Sequence, residues 1–201
     1  MKMEEFRVYP LDPSVYIEGL YLSDDQRLLY LLTQENNVLY LTVIDCDTMD
    51  TLQKQEIYDC GGELGTVHEI RQRDNCWVLW LRGGVLALLE KLPDGLFELE
   101  YVTTYDFEEI PEYAMSIYLE ADWDGKRLAV VDKSYNGGMN ENGHYVVDFD
   151  TCGFWLLVYD ERGELTYAGN YESSLSYRNE RPQNDCSLIW PKPFTVNWKE
   201  E

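Results

Sequence analysis

The chain has 201 residues, 45% of them apolar and 14% aromatic, which suffices for a real core in a single domain. Lys and Arg number 16 against 38 Asp and Glu, a net charge of −22, so nucleic acid and anionic membrane surfaces would meet a like-signed field. Cations or a basic protein or peptide fit the sign.

Residues 5–11 (EFRVYPL) alternate apolar and polar side chains and predict a short strand before Asp12-Pro13. Val15–Leu22 is the next expected strand, closed by the polar turn Ser23–Gln26. Leu28–Thr33 is a continuous apolar run of strand length, Val38–Ile44 follows Gln34–Asn37, and Gln53–Tyr58 follows the turn Asp45–Asp50. Four strands joined by short polar turns make an antiparallel meander.

A second pass opens after Cys60-Gly61-Gly62, with strands expected over Thr66–Arg71, Trp77–Leu81, Val85–Glu90 and Phe97–Tyr105. Pro93-Asp94-Gly95 marks the turn between its last two strands. The third pass runs Met115–Glu120, Leu128–Asp132, a long excursion, Phe154–Tyr159 and Leu165–Tyr171. Second strands begin near Leu28, Trp77 and Leu128, 49 and 51 residues apart, and four strands per such period is the pattern of propeller blades.

The recurring hairpins IDCDTMD, EKLPDGL and YDERGEL resemble the acid-turn-glycine hairpins of β-propeller repeats. The resemblance is architectural; the Trp-Asp pair and the kelch double glycine of specific families do not occur. It implies an all-β domain over 1–201 with blade-like units at about 15–59, 65–106 and 114–172 and an extension over 173–201. A β-sandwich or an irregular barrel built from the same strands is the alternative. Three blades do not close a ring, so the resemblance implies further blades or a second copy of the chain, most simply a homodimer.

The resemblance also gathers the turns between second and third strands, and the links between blades, on one end of the sheets. There Glu35, Glu63, Glu108, Glu109, Glu112, Asp132, Glu141, Asp148 and Asp150 face only Arg82 and Lys133. The excursion over 133–152 (KSYNGGMNENGHYVVDFDTC) carries turn signals at Gly137-Gly138 and Asn142-Gly143 and reads as an extra hairpin. Asp148 and Asp150 are spaced to share one strand face. Tyr135, Asn140, Asn142, His144, Asp148, Asp150, Glu108 and Glu109 are therefore the candidate ligand or partner contacts.

Catalytic and metal patterns are sparse. Asp45, Asp47 and Glu56 sit at EF-hand spacing, but Asp50 stands where the glycine belongs, and the stretch reads as a hairpin turn. No GxSxG, HExxH or phosphate-binding glycine loop occurs, and His68 is expected to pack or line a channel. Five scattered cysteines, Cys46, Cys60, Cys76, Cys152 and Cys186, form no CxxC pair and read as reduced thiols. With no apolar leader, the expected location is cytoplasmic and no cofactor is implied. The expectation is a non-enzymatic interaction module using an acidic loop face; the alternative is a glycan-binding or hydrolytic domain of a larger propeller, its pocket shaped by 133–152.

Overall fold

A computed structural model describes residues 8–62, 64–105, 115–139, 141–143, 145–172, 196 and 198. Twelve strands and no helix occur among them. They form three four-stranded antiparallel sheets, each a meander built from one sequence pass. The first holds β1 (Tyr16–Leu22), β2 (Leu28–Glu35), β3 (Val38–Asp45) and β4 (Thr51–Asp59). The second holds β5 (Val67–Gln72), β6 (Cys76–Leu81), β7 (Val85–Lys91) and β8 (Phe97–Thr104). The third holds β9 (Met115–Trp123), β10 (Leu128–Met139), β11 (Tyr145–Tyr159) and β12 (Leu165–Glu172). Among the described residues no strand pairs with one from another pass, so each sheet is one blade-like unit.

Of the strand expected at 5–11, residues 5–7 lie outside the described residues. Val8–Leu11 are described and lie outside any strand. Pro10 lacks the N–H that a ladder requires, so the alternation there has no sheet to join. Tyr9 instead hydrogen-bonds through its hydroxyl to Thr51 Oγ1 at 2.7 Å.

The chain divides into two compact units, Met1–Val102 and Thr103–Glu201. In the first, alternate residues of two sheets meet in one apolar cluster. Tyr30, Leu32, Leu39, Leu41, Val43 and Ile57 come from the first sheet, and Trp77, Leu79, Leu81, Ala87, Leu89 and Phe97 from the second. The period of two puts each set on a single face, so the sheets pack face to face. Tyr30 meets Trp77 edge-on at 5.2 Å between centroids and Phe97 edge-on at 5.3 Å. Each such pair contributes about 0.5–1.5 kcal/mol beyond its buried area, which favours this one registration of the sheets over a slipped one.

Two polar links join the same sheets. Gln53 Nε2 donates to the Phe97 carbonyl at 2.5 Å while Phe97 N–H donates to Gln53 Oε1 at 2.9 Å. Thr66 N–H donates to Glu18 Oε1 at 2.7 Å, tying β1 to the start of the second pass.

The turns explain the chain's regular supply of aspartate. Asp25 accepts from Ser23 Oγ and Arg27 N–H, Asp45 from Asp47 and Thr48 N–H, and Asp94 from Leu96 N–H. Asp124 accepts from Lys126 and Arg127 N–H, and Asp160 from Arg162 and Glu164 N–H. Each carboxylate closes a tight turn by capping donors that the ladder leaves open. The EF-hand-like spacing at Asp45 is thus a β3–β4 hairpin, as expected.

In the second unit the excursion is an ordered hairpin, made by prolonging β10 and β11. Gly137 and Gly138, read as a turn, are paired strand residues opposite Val147 and Val146. Gly143, with φ of +74°, sits in the true turn. Asn136–Met139 pair with Tyr145–Asp148 and form the outer part of this hairpin.

Candidate functional site

A cavity of the first unit opens between its two sheets, at the end where strands one and two, and strands three and four, are joined. It has a volume of about 710 Å³, within the range of small-ligand sites. Its walls come from three turns: Ser23–Arg27 between β1 and β2, Asp74-Asn75 between β5 and β6, and Leu92–Gly95 between β7 and β8. A second pocket of about 200 Å³ shares Ser23, Asp24, Tyr30, Asp74 and Lys91 with it and is also lined by Arg73 and Trp77.

Asp24, Asp25, Asp74 and Asp94 line the opening, against Arg27 and Lys91. The four carboxylates are not equivalent. Asp25 and Asp94 are committed to turn N–H groups through one oxygen each. Asp24 and Asp74 are exposed and make no hydrogen bond or ion pair among the described residues.

Tyr30 lies at the floor and is only 2% exposed. Its ring is held by Trp77 and Phe97, which fixes where the hydroxyl points. The hydroxyl is buried, borders the cavity, and has no hydrogen-bond partner among the described residues. Burial raises the phenol's pKa, and the Asp25 and Asp24 charges raise it further, so the hydroxyl stays neutral. An unpaired buried hydroxyl costs about 1–3 kcal/mol, a debt that a ligand group reaching the floor would cancel.

Gly95 leaves room for this arrangement. Its φ is +86°, and a Cβ there would stand 2.4 Å from Leu28 Cδ1 and 3.3 Å from the Tyr30 hydroxyl. Lys91 Nζ lies 5.7 Å from the centroid of the Tyr30 ring, over its face. Leu28, Leu92 and Pro93 give the wall an apolar stretch.

This cleft lies at the opposite end of the sheets from the loops that the sequence pattern favours. At that other end Glu35 is not an unopposed charge: Lys54 Nζ, from β4, reaches its Oε2 at 2.6 Å. Asp132 is not a surface charge either. It is 3% exposed, and Tyr105 donates a short hydrogen bond to its Oδ2. His68, expected to pack or line a channel, stands exposed on β5.

Of the candidate contacts, Asn142 is exposed in the hairpin turn. Tyr135 lies in β10 opposite Cys152, and Asp148 lies in β11 opposite Asn136. Asp150 falls where the register jumps from Asp148 to Cys152, so simple strand alternation does not carry from Asp148 to Asp150. Asn140, His144, Glu108 and Glu109 lie outside the described residues. Cys46, Cys60 and Cys76 form no disulfide, and among the described residues no group of acids, histidines and cysteines is arranged to hold a metal ion.

No family model matches the chain. No curated protein matches it in sequence. Among solved structures it is similar to the "putative 6-phosphogluconolactonase" of Bacteroides fragilis, with 11% identity and a TM-score of 0.36. That similarity covers 78% of this chain and 56% of the other, so this chain spans about half the length of its structural neighbour.

Proposed function

We propose that the protein is a non-catalytic interaction module that takes a cationic group of a basic protein or peptide into the cleft of its first unit. One observation carries the reading: a buried, unpaired Tyr30 hydroxyl at the floor of a cavity edged by four aspartates and two basic side chains. The excess of carboxylates sets the sign of the ligand, and the net charge of −22 draws such a partner in from solution. The test is calorimetric titration with an oligolysine peptide at low and high salt. Binding should weaken with salt and fall about tenfold or more in Asp24→Asn/Asp74→Asn, whose folding should be intact. Binding that ignores both salt and the double substitution would remove the reading.

The extra β10–β11 hairpin, which places Asp148 opposite Asn136, favours a second contact of the same kind. On this reading Asp148→Ala/Asp150→Ala weakens the same peptide while the cleft variants retain part of their affinity. An unchanged affinity in the hairpin variant confines recognition to the first unit.

A further inference from the structure

We infer that the cleft is a subsite for a primary alkylammonium, the side chain of a lysine in the partner, with the Tyr30 hydroxyl oxygen as its terminal acceptor and Lys91 as the residue that limits its affinity. This rests on the cation-binding reading above and sharpens it to one chemical group.

Three features select an ammonium on a flexible stem. The floor offers one phenolic oxygen, a point acceptor, which suits the compact ammonium head better than the planar fork of a guanidinium. The wall offers Leu28, Leu92 and Pro93, against which four methylenes can lie while the charged head passes inward. Asp25 and Asp94 each have one oxygen engaged by turn amides, so these two, unlike Asp24 and Asp74, present a single open oxygen that suits a compact ammonium head.

Lys91 then acquires a role. Its ammonium rests over the Tyr30 ring with no ion pair to a described residue, so the chain places its own cation beside the position a ligand's cation would take. Attraction by the aspartates and repulsion by Lys91 oppose one another. Lys91 therefore keeps the site weak for an isolated ammonium, and only a partner with further contacts binds firmly.

The experiment is an NMR titration of the full chain with Nα-acetyl-lysine amide, with the norleucine and arginine amides as comparators. Lysine amide should perturb Gly95 and Leu28 resonances, norleucine amide should not, and arginine amide should bind several-fold more weakly. Tyr30→Phe should lower lysine affinity about tenfold, the usual effect of losing a hydrogen bond to a charged group. Lys91→Met should raise it. Tyr30→Phe deletes a hydroxyl that has no partner among the described residues, so its melting temperature should equal or exceed that of the wild type, which separates lost binding from lost fold. Equal binding of norleucine or arginine amide, or unchanged affinity in both variants, overturns the subsite. If oligolysine still binds in a salt-sensitive way in that case, the broader reading survives; if it does not, both fall.

Discussion

Gln53 and Phe97 exchange two hydrogen bonds, the side-chain amide of one against the backbone of the other, across the two sheets of the first unit. Phe97 is fully buried on its side-chain face, and Gln53 imitates the peptide group of a neighbouring strand. Gln53→Ala should leave the Phe97 N–H and carbonyl without these partners and lower the unfolding free energy by about 1–3 kcal/mol. Gln53→Glu keeps an acceptor for the N–H but loses the donor to the carbonyl, and should fall between. Urea titration of both variants measures the order; equal stability of all three proteins would show that the clamp contributes nothing.

Gly95 and Gly125 both have φ near +90° in tight turns, but only Gly95 is crowded. Gly125→Ala should cost about 1–2 kcal/mol from the left-handed backbone alone. Gly95→Ala adds a collision with Leu28 and should cost about 2–4 kcal/mol. It should also obstruct the cleft and reduce oligolysine binding. Denaturation midpoints and one peptide titration per variant test both halves.

Acid affects stability in two opposite directions. Turn N–H groups hold Asp45 and Asp160 below their ordinary value, as the Ser23 hydroxyl and the Arg27 N–H hold Asp25. A depressed carboxylate stabilises the fold above its unfolded pKa, and that stability is lost as pH falls through the folded value, so loss begins below about pH 4. Glu100 is shifted the other way, by burial and by the hydrogen bond and charge of Glu90, with Glu98 adding to it. Its ionised form opposes folding, and that penalty is relieved as pH falls through its raised folded value towards the ordinary carboxylate range. Unfolding free energy should therefore pass through a maximum in mild acid. Glu100→Gln should be more stable than the wild type at pH 7 and gain less on acidification. A curve that falls steadily from pH 7 would contradict the assignment.

Burial pushes Tyr159 up to about 12, and its hydroxyl donates to the Thr104 carbonyl at 3.4 Å. In the unfolded chain a tyrosine titrates near pH 10, so this group contributes stability that is present below about pH 10 and lost as pH rises towards the folded value. Near-ultraviolet titration should show a late ionising step that disappears in Tyr159→Phe. If that variant keeps the step, the late group is another tyrosine.

Strand order was legible in the sequence because turns announce themselves locally. Pro93-Asp94-Gly95 and Asp160–Gly163 carry residues that cap or adopt the turn, and the apolar runs between them have strand length. The hairpin ends of β10 and β11 were less legible: Gly137-Gly138 is a turn signal by composition but tolerates extended backbone equally well. The cleft was not legible at all. Its walls come from three turns of two passes, and Tyr30, inside the run LLYLLT, has the pattern of an ordinary core residue. Only packing against Trp77 and Phe97 shows that its ring is core and its hydroxyl is not satisfied. Equally, no local signal links Gln53 to a backbone on another sheet.

The capped turns divide the protein's many acids into two kinds for anyone redesigning its surface. Asp45 and Asp160 are fastened to the main chain and resist replacement, whereas Asp24 and Asp74 are detachable ornaments of the same composition. A variant neutralised only at the second kind should keep its architecture and, on the cleft proposal, lose cation binding, giving a matched inert control for any pull-down with the native chain.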